Sequence, residues 1–211
     1  AHLGQTALAQ ALDTLDSMLF SRASAADYGN EDIDTLVDGD KQGITTSGSA
    51  KTIDGGTQYI NAGVGTANIM NGGRQSISNG GTGTVGIMNG GSCDIESGGT
   101  STVDNMTGGF QWIYSGGTGT VKNLNGGVQI VYDGGFSKDT VLNVGGGVLL
   151  KNGGIIQNIT YNGGTLSLEG VRSGYDNMQL GQGVGETNVI LSLSYGSMVK
   201  DLTINSSGKA S

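Results

Sequence analysis

Paired glycines recur along this chain with a period that admits few folds. The pairs begin at 55, 72, 80, 90, 98, 108, 116, 126, 134, 145, 153 and 163. From 72 onward the steps alternate between 8 and 10, with one step of 11, so a short and a long step span 18 residues and once 19. Six or seven units share this period across residues 55–182. A repeat of this size is a single supersecondary unit that cannot bury its apolar face alone. It must stack on its neighbours.

Each unit carries two short β-type segments. The first is seen in Gln58-Tyr59-Ile60, Gln75-Ser76-Ile77, Gln111-Trp112-Ile113 and Gln129-Ile130-Val131. The second is seen in Asn68-Ile69-Met70, Gly86-Ile87-Met88 and Asn123-Leu124-Asn125. Both are too short for helices and are bounded by turn signals. An asparagine precedes the glycine pair at 71, 89, 125, 143 (there with Val144 between) and 162, and Thr107 interrupts the row. Stacked asparagines can hydrogen-bond up a ladder and tolerate the turn conformation. Ile60, Ile77, Ile95, Ile113, Val131, Leu150 and Leu168 recur at steps of 17 to 19 and predict one column of a continuous core. The fold class expected is all-β: a β-solenoid, or parallel β-helix, of about 18 residues per coil. Each coil advances one strand spacing of roughly 4.8 Å.

The ends depart from the rhythm. Leu8, Leu12, Leu15 and Leu19 are spaced 4, 3 and 4, which predicts an amphipathic helix over 5–22. Residues 1–26 are therefore expected to form an α-helical cap over the open strand edge. Asp27, Glu31, Asp32, Asp34, Asp38 and Asp40 mark 27–50 as an acidic linker or first irregular coil. The Gly-Gly repeat solenoid is expected over 51–182, with degenerate final coils over 183–211. Ser206-Ser207-Gly208 shows no capping pattern, which is compatible with further coils beyond it.

Composition removes several classes. Glycine contributes 42 of 211 residues, but without the third-position period or the proline of collagen. No run of about 20 apolar residues exists for a membrane span. Cys93 alone cannot form an internal disulfide. A net charge of −8 opposes nucleic acid as a partner and electrostatic docking to anionic lipid.

Units such as Asn71-Gly72-Gly73-Arg74-Gln75-Ser76-Ile77-Ser78-Asn79-Gly80-Gly81-Thr82-Gly83-Thr84-Val85 resemble the stalk repeats of AIDA-type autotransporter adhesins. Those repeats alternate a "GGxQxV" half with a "GGTxxxTxV" half, and the resemblance covers about 55–165, half of the chain. It implies a right-handed helix and a secreted passenger displayed on the cell surface of a Gram-negative bacterium. It further implies a role in adhesion or aggregation, and heptose addition to repeat serines by a heptosyltransferase. Ser76, Ser78, Ser92, Ser97 and Ser101 are then the candidate glycosylation sites.

Catalytic chemistry finds little footing. Polysaccharide-processing β-helices need clustered carboxylates with basic partners in a groove. Here Asp94, Glu96, Asp104, Asp133 and Asp139 scatter among coils, as do Arg74, Lys122, Lys138 and Lys151. His2 is the one histidine and sits at the chain end, so no Ser-His-Asp arrangement is proposed. Cys93 falls in the column of Gln58, Gln75, Gln111 and Gln129 and reads as a small buried residue. Calcium-binding nonapeptides need an Asp where Val85 and Val121 stand. Asp38-Gly39-Asp40 opens like an EF-hand loop, but Ser49 replaces the twelfth-position Glu. No metal or cofactor is expected.

Two surface features remain. If Ile113 and Val131 point inward, Phe110, Trp112 and Tyr114 point outward on one coil, and Val128, Ile130 and Tyr132 on the next. The equivalent positions of earlier coils are polar. Such a patch marks an interface, either with a partner or with residues 1–50 or a second chain folded over it. The second feature is a threonine array, Thr82-Gly83-Thr84, Thr100-Ser101-Thr102 and Thr118-Gly119-Thr120, which resembles the ice-binding face of antifreeze solenoids but spans three coils. Threonine is also an ordinary strand former.

The function expected is non-enzymatic: adhesion or self-association through a rigid rod, with those six residues as contacts. The partner would be another copy or a host or bacterial surface glycan or protein, with no membrane insertion by this segment. The alternatives are a passive glycosylated stalk that displays other domains, and a polysaccharide-processing enzyme.

Overall fold

The computed structural model describes residues 27–151 and 153–169, with short strands at 179–180, 190–193 and 203–204. The helical cap expected over 5–22 lies outside the described residues, which contain strands, turns and bends but no helix. The described chain is a parallel β-solenoid of about eight turns, with coils of about 18 residues.

Every long-range ladder is parallel, and each coil adds one rung to it. The predicted column is in register from end to end: Ile60 pairs with Ile77, then Ile95, Ile113, Val131, Leu150 and Leu168. Ile44 extends it downward and Leu193 upward. The second segment is longer than the sequence shows, because the threonines lead directly into it, as in Thr82–Met88. The threonine segments Thr82–Met88, Thr100–Ile113 and Thr118–Val121 pair in register with one another. The solenoid also begins earlier than residue 51. The acidic stretch supplies strands at Asp32–Val37 and Lys41–Ile44, which pair with Ser47–Asp54 and Thr57–Asn61. Asp32 and Asp34 are exposed, the alternation slips at Asp34-Thr35, which are both exposed, and Leu36 and Ile44 are buried. The coil is shorter there, 16 residues from Gln42 to Gln58.

Glycine comes in pairs because each corner needs it twice, for different reasons. At Gly80-Gly81 the first residue has φ +85°, a conformation that penalises any Cβ. The second has no such φ, but a Cβ there would lie 2.5 Å from the Ile60 carbonyl of the coil below. The corner one side further on reverses the order: Gly91 takes the positive φ, and Gly90 touches the Asn71 carbonyl.

The interior holds two stacked systems. One is apolar: Ile53, Met70, Met88, Met106 and Leu124 line one side, and Ala67, Val85, Val103 and Val121 another, all buried. The other is a column of amides. Gln58 Nε2 donates to Gln42 Oε1 at 2.7 Å, and Gln75 Nε2 to Gln58 Oε1 at 2.7 Å. Above a gap, Gln129 Nε2 donates to Gln111 Oε1 at 2.7 Å, and Ser137 Oγ to Gln129 Oε1. Outside, the asparagine ladder forms as expected. Asn89 Nδ2 donates to Asn71 Oδ1 at 2.9 Å, Asn143 to Asn125 at 2.9 Å, and Asn162 to Asn143 at 3.0 Å. Thr107 interrupts the row yet donates its hydroxyl to Asn89 Oδ1 at 2.8 Å.

Candidate functional site: an aromatic patch on one face

Because Gln111, Ile113, Gln129 and Val131 are pinned inside, strand alternation turns their neighbours outward. Five successive rungs then define the face. They are Ser92 with Asp94; Phe110 with Trp112; Val128 with Ile130; Gly147 with Leu149 and Lys151; and Thr165 with Ser167 and Glu169. Tyr114 follows Ile113, Tyr132 follows Val131, and their rings stack. The six predicted residues are thus adjacent on two rungs, and Leu149 extends the apolar surface to a third.

Exposure within the patch is uneven. Phe110 is 44% and Tyr114 38% exposed, while Trp112, Val128 and Tyr132 are half-buried. Ile130 is a correction to the expected contact set. It is only 6% exposed, because it lies between Trp112 below and Leu149 above on the same column. It supports the patch from beneath rather than presenting surface.

The rings use much of their faces on one another. Trp112 stacks on Tyr132 at 6.0 Å between centroids and 17° between planes, and Tyr114 on Tyr132 at 5.1 Å and 12°. Phe110 lies 5.5 Å from Trp112, tilted by 32°. Lys151 Nζ sits 5.7 Å from the Tyr132 ring centroid, within cation–π reach, and pairs with Glu169 at 3.0 Å. At the lower border Arg74 is ion-paired with Asp94, which is 8% exposed. The second carboxylate oxygen of Asp94 is buried without a hydrogen-bond partner. Burial raises the Tyr114 phenol above its ordinary range, and the Asp94 charge adds to the effect. The Tyr114 phenol is therefore neutral at pH 7.

Beside the patch lies a shallow groove of about 330 Å³, lined by Gly127, Val128, Gly147, Leu149, Thr165 and Ser167 among others. Gly147 occupies the position that Phe110 and Val128 hold on the two rungs below. The repeat alignment carries this signal, but Gly147 reads as the tail of the Gly145-Gly146 pair.

The other candidate residues fall in different places. Ser76, Ser78 and Ser92 are half-buried on the same face, and Ser97 is exposed at the corner. Ser101 is a second correction: it is wholly buried, and its hydroxyl faces Gln111 Nε2 at 3.5 Å. It points inward because it follows Thr100 in a strand whose threonines face out. Cys93 is fully buried in the glutamine column, and burial pushes its thiol up to about 12. Asp40 is 6% exposed and spends a carboxylate oxygen on the Val37 N–H at 3.1 Å, closing the turn that resembled a metal loop. Among the described residues no three His, Cys, Asp or Glu side chains converge on a metal position. Lys51 pairs with Asp34 and Lys122 with Asp104. No helix of the described residues is long and apolar enough to cross a membrane.

Comparison with solved structures adds one informative match. A crystal structure of a TibA fragment, hyper-glycosylated in a TibC-catalysed reaction, superimposes with a TM-score of 0.57 at 25% identity. The match covers 74% of this chain and 66% of that fragment. The chain resembles the passenger repeats of AIDA-type autotransporter adhesins. No family model matches the sequence. No curated protein matches it either.

Proposed function

We propose that this chain is the rod of a non-enzymatic adhesin passenger, displayed at a Gram-negative cell surface, and that the aromatic patch is its contact surface. The observation that carries this reading is the break in the outward columns. Ser92, Asp94 and Ser76 give way to Phe110, Trp112 and Val128 with no change in the backbone that would require it. Aromatic side chains supply most of the energy at protein interfaces, whereas a spacer has no use for them. The likeness to the TibA fragment supports the adhesin-type rod.

The test is a binding assay with chain-coated beads, on each other and on cells. Trp112→Ala and Tyr132→Ala should remove most bead attachment while leaving the far-ultraviolet CD spectrum and the melting temperature close to wild type. Unchanged attachment by folded variants would leave the passive stalk as the better account.

Glycosylation favours a second role alongside the first. The TibA fragment was glycosylated by a separate enzyme. A heptosyltransferase acting on this rod would find Ser76, Ser78, Ser92 and Ser97 at least partly accessible. Intact mass after co-expression with such a transferase should show additions there, and none at Ser101. A polysaccharide-processing activity would be revealed by depolymerised glycan; the scattered acids predict no product.

A further inference from the structure

We propose that the asparagine ladder governs a spontaneous modification of the rod, and that Asn71 is the residue that reacts. The reaction is deamidation, with water as its one co-reactant. It is independent of what the aromatic patch binds.

Asparagine followed by glycine is the sequence most open to this chemistry, because glycine carries no side chain to shield its own nitrogen. The glycine nitrogen attacks the asparagine Cγ and gives up its proton. A new N–Cγ bond closes a five-membered imide. The Cγ–Nδ2 bond breaks, and ammonia leaves with that proton. Water then opens the imide. Opening at Cγ gives aspartate. Opening at the main-chain carbonyl gives isoaspartate, which lengthens the backbone by one carbon.

The described residues contain five such pairs, with asparagine at 71, 79, 89, 125 and 162. Three conditions favour ring closure. A donor on Oδ1 stabilises the oxyanion that develops there. The side-chain nitrogen must be free to leave. The glycine N–H must be weakly held. Asn79, Asn89 and Asn162 fail the second condition. Their Nδ2 atoms donate to the rung below, to Asn61 at 3.0 Å, Asn71 at 2.9 Å and Asn143 at 3.0 Å. Asn125 has a donor, Asn143 Nδ2 at 2.9 Å, but fails the third condition. Gly126 is buried within the strand Leu124–Val131, so closely packed that a Cβ would lie 2.2 Å from the Thr107 carbonyl.

Asn71 meets all three. Its Oδ1 accepts from Asn89 Nδ2 at 2.9 Å. Its own Nδ2 has no partner among the described residues, because the ladder starts here. The Gly72 N–H reaches the Ile53 carbonyl only at 3.4 Å and shares it with the Asn71 N–H at 3.0 Å. Gly72 is half-buried, and the nearest atom to an added Cβ is 3.7 Å away, so this corner has room to move.

The ladder then yields from its lower end. Isoaspartate at 71 displaces the oxygen that holds Asn89 Nδ2. Asn89 already takes the Thr107 hydroxyl on its Oδ1 at 2.8 Å, and its Gly90 N–H bond is long, 3.3 Å. Freed of its anchor, it becomes the next residue to react. The sequence stops there, because Thr107 has no amide to lose. The one interruption in the asparagine row thus separates the reactive lower rungs from Asn125, Asn143 and Asn162 above.

The test is incubation of the folded whole chain in heavy-oxygen water at neutral pH, with peptide mapping by mass spectrometry to locate the incorporated oxygen. The same chain unfolded in urea is the control. Asn71 should convert first in the folded chain, at least tenfold faster than Asn79 or Asn125. In urea the five sites should convert within a few-fold of one another. Asn71→Ala should speed conversion of Asn89 by roughly fivefold, the factor one hydrogen bond supplies, and leave Asn125 unchanged. Asn61→Ala should speed Asn79 in the same way. Conversion of Asn79, Asn89 or Asn125 before Asn71 would overturn the assignment, as would an inert Asn71 in a chain whose urea control reacts. The same order in urea, or unchanged rates at Asn89 and Asn79 in the two variants, would overturn the ladder as the controlling element.

Discussion

The buried amide column is broken once, and the break is compensated within its own coil. Across from Gln42, Gln58, Gln75, Cys93, Gln111 and Gln129 run Gly48, Gly65, Gly83, Ser101, Gly119 and Ser137. A Cβ on Gly83 would lie 2.5 Å from Gln75 Oε1, and one on Gly119 2.8 Å from Gln111 Oε1. Gln75 and Gln111 thus leave room only for glycine opposite, Gln129 accepts Ser137 by taking a hydrogen bond from its hydroxyl at 2.8 Å, and the coil with the short thiol carries Ser101. The Gln75 Oε1 below Cys93 is left buried without a partner. Cys93→Gln alone should press its amide on Ser101 and destabilise by about 1–3 kcal/mol. Ser101→Gly alone removes a side chain that fills the space and should cost about 1 kcal/mol. Together they rebuild the column. The orphaned oxygen gains a donor and the new amide meets Gln111, about 1 kcal/mol for each bond. That gain offsets the ordering of the glutamine and the glycine, together about 2 kcal/mol. The double variant should therefore lie near wild type or slightly above it, with a favourable coupling of about 2–4 kcal/mol between the sites. Urea unfolding followed by CD measures this. Additivity of the two substitutions within about 0.5 kcal/mol would refute the reasoning.

Three further outcomes follow from the same interior. The Cys93 thiol, raised from 9.0 to about 12, stays protonated in the folded chain while the unfolded chain loses its proton. Stability should therefore fall as pH rises from 9 toward 12, by up to about 1.4 kcal/mol per pH unit relative to Cys93→Ala. The same burial predicts that a thiol reagent labels Cys93 only upon unfolding, which a stopped-flow comparison with urea unfolding checks. Gly119→Ala places a Cβ 2.4 Å from Ile113 Cδ1 and should destabilise by about 1–3 kcal/mol, whereas Gly147→Ala should change the melting temperature little.

Much of this architecture is legible in the sequence because a solenoid is nearly one-dimensional. The spacing of Ile60, Ile77, Ile95, Ile113 and Val131 is itself the register, so the column reads directly from residue numbers. The outward orientation of Phe110, Trp112 and Tyr114 follows by alternation. What the sequence hides is what depends on depth rather than direction. Ile130 points outward but is covered, since its exposure is decided by the bulk of Trp112 and Leu149 on other rungs. Ser101 hides among outward threonines because its strand phase, not its chemistry, sets its side. The early coils at 32–54 lack the Gly-Gly punctuation and are dense in aspartate, so composition leaves a linker or an irregular coil open, and the slip of alternation at Asp34-Thr35 hides that Leu36 is buried. The Gln–Gly pairing across the coil needs both columns at once, which no single motif displays.

The claim that Trp112 belongs to an open contact surface is tested most directly by its own fluorescence. Emission maximum and acrylamide quenching should be recorded at high dilution, in the whole chain and in a chain beginning at Asp27. An accessible indole with the same quenching in both is the result this account requires. Shielding in the whole chain that disappears with residues 1–26 would contradict it, because the patch would then be an internal docking site and the adhesin reading would lose its surface.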